Sequence, residues 1–150
     1  MYFKITLKTI IFFILSFSGL MSKSWERTDM GYSNIETFKT TLNYQFVFFS
    51  SKSFWNDSLG NYGTNKCKGL AKIDENNMFD GGEVFCESYD QNNNKFIVLL
   101  SREKGDFSSG IGYLEFIDGE GNWKKFIGKK CKYAIQYIEE GFMRIDKCSL

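Results

Sequence analysis

The chain has 150 residues, with 19 Lys and Arg against 18 Asp and Glu and a net charge of +1. A charge so balanced gives no long-range pull on nucleic acid or on an anionic membrane. The sequence contains no histidine, which excludes a Ser-His-Asp triad, a Cys-His pair and every His-ligated zinc site.

Lys4 and Lys8 precede an apolar stretch from Ile10 to Met21, followed by the small residues Ser22 and Ser24. A basic head, an apolar run of this length and a small-residue exit describe a secretory signal peptide over residues 1–22. The run is too short for a membrane span, which needs about 20 apolar residues. No cysteine stands at the expected cleavage point, so a lipidated-cysteine anchor is not expected. The mature domain is then 23–150, soluble, without a membrane span, and periplasmic or secreted. Removing the leader takes two of the 19 basic residues and none of the 18 acidic ones, so the charge stays near zero.

Beyond the leader, aromatic residues are abundant, proline is absent and helix signals are few, a balance that favours β-sheet. In chain order the expected strands are Trp25 to Met30, Ile35 to Leu42, Tyr44 to Ser51, Tyr62 to Asp74, Gly82 to Tyr89, Lys95 to Arg102, Gly110 to Ile117, Lys130 to Ile138 and Phe142 to Cys148. Turn clusters separate them at Asn56 to Asn61, Asp90 to Asn94, Gly105 to Ser109 and Asp118 to Asn122. Such spacing indicates one all-β domain, an antiparallel sandwich or barrel. A closed barrel removes the exposed edges of an open sheet. The run Lys95 to Leu100 is almost continuously apolar, as expected of a strand covered on both faces or of an outer face that meets a partner.

Four cysteines permit three pairings. Cys67 and Cys86 are symmetric about Asn76-Asn77, and Asn tolerates the positive φ of a tight hairpin turn. That register sets Gly69 against Val84, Ala71 against Gly82, and Lys66 against Glu87 as a cross-strand charge pair. Cys131 and Cys148 flank Glu139-Glu140-Gly141, and the simplest register sets Tyr133 against Asp146 and Ile135 against Arg144. A bulge at Gly141 would shift it by one. The expected disulfides are Cys67–Cys86 and Cys131–Cys148, as suits an exported chain. No CxxC is present, which argues against a redox dithiol or a cysteine zinc site.

Two stretches carry a family resemblance: Ser53-Phe54-Trp55-Asn56-Asp57-Ser58-Leu59-Gly60-Asn61-Tyr62-Gly63 running on to Cys67-Lys68-Gly69, and Gly110 to Trp123 ending at Phe126-Ile127-Gly128. The second resembles the glycine pattern of exported barrels similar to allene oxide cyclase and dirigent proteins, with Glu120 where that pattern has Thr. The resemblance implies an eight-stranded antiparallel barrel. The plant cyclase's catalytic constellation has no residue-by-residue counterpart, so no activity is carried over.

Trp55, Asp57 and Tyr62 set two aromatics and a carboxylate beside a turn, as a barrel mouth offers a small apolar ligand. The competing reading is an aromatic plug closing the barrel bottom. With Tyr133 and Tyr137, Trp55 and Tyr62 are the expected ligand contacts. Gly110, Gly112, Gly119, Gly121 and Gly128 lack the lysine and strand-to-helix context of a phosphate loop and read as strand and turn geometry. Asp90 to Lys95 begins like a calcium loop, but Lys95 replaces the turn glycine and Ser101 the bidentate Glu. It reads as a solvated turn. Asn56-Asp57-Ser58 matches the glycosylation pattern by chance. Glu83, Glu87, Glu115, Arg144 and Asp146 lie on strands and are expected to face solvent. No cofactor, metal or catalytic residue is called for. The leading expectation is a disulfide-stapled barrel binding a small apolar molecule without transforming it. The first rival is a lumen isomerase or cyclase using Glu115 or Tyr113, and the second is a packed barrel that associates through Ile97 and Leu99.

Overall fold

The computed structural model describes residues 24–41 and 44–149, and the expected signal peptide lies outside them. Eight strands form one closed antiparallel barrel in sequence order: β1 (Ser24–Lys39), β2 (Gln45–Asp57), β3 (Tyr62–Ile73), β4 (Phe79–Asp90), β5 (Lys95–Arg102), β6 (Ser109–Gly119), β7 (Lys130–Ile138) and β8 (Gly141–Ser149). β8 closes on β1, from Ser24 opposite Ser149 to Tyr32 opposite Gly141.

The two disulfides each tie neighbouring strands: Cys67 and Cys86 are directly paired, and Cys131 and Cys148 lie one step beyond the Lys132–Lys147 pair. Cys67–Cys86 ties β3 to β4 and Cys131–Cys148 ties β7 to β8. The expected registers hold in both hairpins, with Lys66 opposite Glu87 and Ile135 opposite Arg144. Asn77 takes φ 59° in the first turn, and Asp74 accepts the backbone N–H groups of Asn76 and Met78. Glu139 takes φ 55° in the second, so no bulge is needed at Gly141.

Three elements depart from the sequence expectation. The first two expected strands are one, β1, because Ser33-Asn34 continues the ladder with Ser51 and Ser50 instead of turning. The next strand does not stop at Ser51: β2 continues through Trp55 to Asp57, whose carboxylate accepts the N–H groups of Leu59 and Asn61 and so sets the turn. The expected turn at Asp118 to Asn122 is half strand, and a short 3-10 helix, Gly121–Phe126, follows it.

Charged residues occupy many outward positions, Lys66, Lys68 and Lys72 on β3 and Lys130 and Lys132 on β7, where a lipid-facing barrel would be apolar. No helix among the described residues is long and apolar enough to cross a membrane.

Candidate functional site

The inward face of the barrel changes character along its axis, in three layers. At the end formed by Trp25, Trp55 and the start of β5, large aromatics fill the lumen. The 3-10 helix folds Trp123 and Phe126 inward to close it. Trp123 stacks on Phe96 at 4.2 Å and meets Trp55 edge-on at 5.6 Å. Each indole has its partner: Trp25 Nε1 donates to Asp57 at 2.8 Å, Trp123 Nε1 to Asp90 at 2.9 Å, and Trp55 Nε1 to the Thr64 carbonyl at 3.1 Å. Burial works against the Asp90 charge, but the Trp123 and Asn94 hydrogen bonds outweigh it and hold its carboxyl below the usual range.

Above this plug lies a buried ionic belt. Arg27 Nε meets Asp146 at 2.7 Å, Arg144 Nε meets Asp146 at 2.9 Å, and Arg144 Nη2 meets Asp29 at 2.7 Å. Asn65 donates to Asp29 at 2.7 Å and receives the Ser88 hydroxyl at 2.6 Å. Two arginines balance two aspartates, so the belt is neutral. Burial opposes the Arg144 charge, while the Asp146 and Asp29 carboxylates raise its pKa beyond the ordinary value. Both Nη atoms of Arg27 lack a hydrogen-bond partner. Its guanidinium carbon instead lies 5.6 to 5.9 Å from the rings of Trp25, Phe96 and Trp55, where cation–π attraction substitutes for water.

Beyond the belt the aromatic filling is incomplete and a cup opens, a narrow cavity of about 60 Å³ with Ala71 and Gly82 in its wall. Gly110 and Gly112, on the inward face of β6, give their space to the side chains of Arg102 and Tyr133. Its wall is mainly apolar, including Val47, Val84, Leu100 and Phe142; its polar groups are Ser51, Arg102, Arg144 and the two tyrosines Tyr133 and Tyr137. The β5–β6 loop covers part of the mouth. Phe79 and Gly105 exchange backbone hydrogen bonds at 2.8 and 2.9 Å, and Phe107 stacks parallel to Tyr137 at 6.2 Å. Burial pushes the Tyr133 phenol up to about 12 and raises that of Tyr137.

The expected ligand contacts divide. Tyr133 and Tyr137 line the cup. Trp55 does not, because its ring is packed into the plug at the other end. Tyr62 lies outside the lumen and is 62% exposed. The carboxylates also divide. Glu83 faces outward, Glu115 pairs with Lys130 at 3.2 Å, and Glu87 pairs with Lys95 at 2.6 Å although Lys66 stands opposite it. Tyr113 is exposed and Ile97 and Leu99 are half-buried, all on the outer face. Arg144 and Asp146, expected to face solvent, are instead buried in the belt. Strand parity marks them: both alternate in phase with Phe142 and Cys148, and Arg27 and Asp29 with Trp25. Gly110, Gly112 and Gly119 serve close approach, Gly121 and Gly128 take the positive φ of turns, and Asp90 is spent on its own turn and on Trp123. No cluster of three metal-ligating side chains occurs among the described residues.

The fold and its lumen thus define a disulfide-linked eight-stranded barrel sealed at one end and hollow at the other. No family model matches the chain, and neither a curated protein nor a solved structure is significantly similar to it.

Proposed function

We propose that this protein is an exported binding protein whose barrel holds a small, mainly apolar ligand in the cup without transforming it. The observation that carries the reading is the one-sided lumen: aromatic and closed at one end, apolar and lined with few polar groups at the other. Concave, mostly apolar sites with a few convergent polar groups are where small ligands bind. Export, to the periplasm or outside the cell, is supported by two disulfides, which persist in oxidising compartments.

A non-catalytic role is the better reading of the cup's chemistry. The isomerase alternative needed Glu115 or Tyr113 in the lumen, and both face outward. No carboxylate lines the cup, and a Tyr133 phenol near 12 is poorly matched to proton transfer at neutral pH. Kinship with the allene oxide cyclase and dirigent-like barrels belongs to this proposal at the level of fold only.

The test is calorimetric titration with 1-octanol. A saturable single site with a negative heat-capacity change is expected. Val84→Trp, which fills the cup, should abolish it while the thermal transition stays cooperative. Binding that survives Val84→Trp would move the site elsewhere and overturn the reading.

A further inference from the structure

We propose that the cup selects its ligand by an anionic head group, a carboxylate on a slender apolar body, received by Arg102 and Nη1 of Arg144. The inference rests on the cup being a ligand site at all.

Charge balance inside the barrel leads to it. The cup wall carries two guanidinium groups and no carboxylate. Arg144 is neutralised within the belt, where it spends Nε and Nη2 on Asp146 and Asp29. Among the described residues its hydrogen bonds run from Nε and Nη2 and none from Nη1, and the side chain lines the cavity. Arg102 has no carboxylate within ion-pair distance among the described residues. Its Nη2 donates to the Asp106 backbone carbonyl at 3.0 Å, and its guanidinium lies 4.1 Å above the ring of Phe79. The Asp106 carboxylate turns away, accepting the Ser108 N–H and hydroxyl at 2.8 Å. Arg102 therefore brings a guanidinium without an ion-pair partner to the half-buried rim of an apolar wall, where the more distant Asp106 carboxylate feels its charge.

The chain also keeps space for this side chain. A Cβ on Gly110 would stand 2.9 Å from both Cδ and Nη1 of Arg102, so the missing side chain is what lets Arg102 lie along β6 at the rim. Tyr133 and Tyr137 sit in the field of both arginines and line the same wall, so their hydroxyls can donate to a bound anion. A guanidinium meets a planar carboxylate with two parallel hydrogen bonds. The narrowness of the cavity selects an unbranched body over fused rings.

The experiment compares octanoate with 1-octanol on the oxidised full chain by calorimetry, in wild type, Arg102→Gln, Arg102→Lys and Val84→Trp. Wild type should bind octanoate about tenfold tighter than octanol, the size of one charge-assisted interaction. Arg102→Gln should bring the two affinities together, and Arg102→Lys should retain part of the preference. Equal wild-type affinities, both abolished by Val84→Trp, would overturn the head-group inference and leave the cup standing. A preference that persists in folded Arg102→Gln would also overturn it. Binding of neither probe would sink both readings. If Arg102→Gln does not fold, the wild-type ratio decides alone.

Discussion

Gly112 lies beneath the ring of Tyr133: a Cβ at that position would stand 2.5 Å from both Cζ and Oη of the tyrosine. The two residues are opposite each other on β6 and β7, and the absent side chain of one is the seat of the other. Gly112→Ala would also set a Cβ 2.4 Å from the Ser101 carbonyl oxygen, so it should displace both Tyr133 and the β5 backbone at a cost of about 1–3 kcal/mol, as overpacking does. Thermal unfolding would read the loss, and a melting temperature equal to wild type would contradict this close approach of β6 to Ser101 and Tyr133.

The ionic belt makes a sharper prediction. Arg144→Met removes the side chain that, among the described residues, bridges Asp29 and Asp146. Breaking a buried pair leaves a charge uncompensated and costs about 3–5 kcal/mol. Adding Asp29→Asn should recover part of that loss, since it removes one of the stranded charges. Urea unfolding of the single and double variants measures both effects; a single variant within about 0.5 kcal/mol of wild type would mean the belt is not desolvated.

Tyr133 gives an alkaline signature. Its phenol is raised from 10.0 to about 12 by burial, so folding favours the protonated form. The associated stability is complete below pH 10 and is lost as pH rises through 12, a loss on the order of 3 kcal/mol. The comparison is with Tyr133→Phe, which has no proton to lose. The difference in unfolding free energy between the two proteins should shrink between pH 10 and 12. A difference that stays level would mean the phenol reaches solvent.

Trp55 and Tyr62 separate packing from exposure. Trp55→Ala opens a hole in the plug and should cost about 3–5 kcal/mol, whereas Tyr62→Ala, at an exposed site, should change stability by less than about 0.5 kcal/mol. Tyr62→Ala should also leave octanol affinity unchanged. A loss of affinity in that variant would draw the ligand site outside the lumen.

Much of the barrel was legible before any coordinates. The symmetry of Cys67 and Cys86 about Asn76-Asn77 was enough to set the β3–β4 register, because a tight turn fixes pairing on both sides of it. The symmetry of Cys131 and Cys148 did the same for β7 and β8. The belt was not legible by the same logic. Charges at inward positions break the apolar alternation that identifies a buried face, so Arg144 and Asp146 read as solvent-facing. Ser33 and Asn34 in mid-strand likewise make β1 read as two strands. Parity with a disulfide cysteine was the signal that could have corrected this: Asn65 and Ser88 alternate in phase with Cys67 and Cys86. The cup is lined from six strands at once, β2, β3, β4, β5, β7 and β8, a relationship that exists only after the barrel closes.

The most direct test of a one-sided, ligand-holding barrel is native mass spectrometry of the oxidised protein taken from its natural compartment, beside Val84→Trp prepared identically. The account predicts an added mass on the wild-type protein that is lost on gentle activation and is missing from the variant. The same mass on both proteins, or a bare wild-type protein that also takes up neither octanol nor octanoate, would contradict it and leave a barrel packed for structure alone.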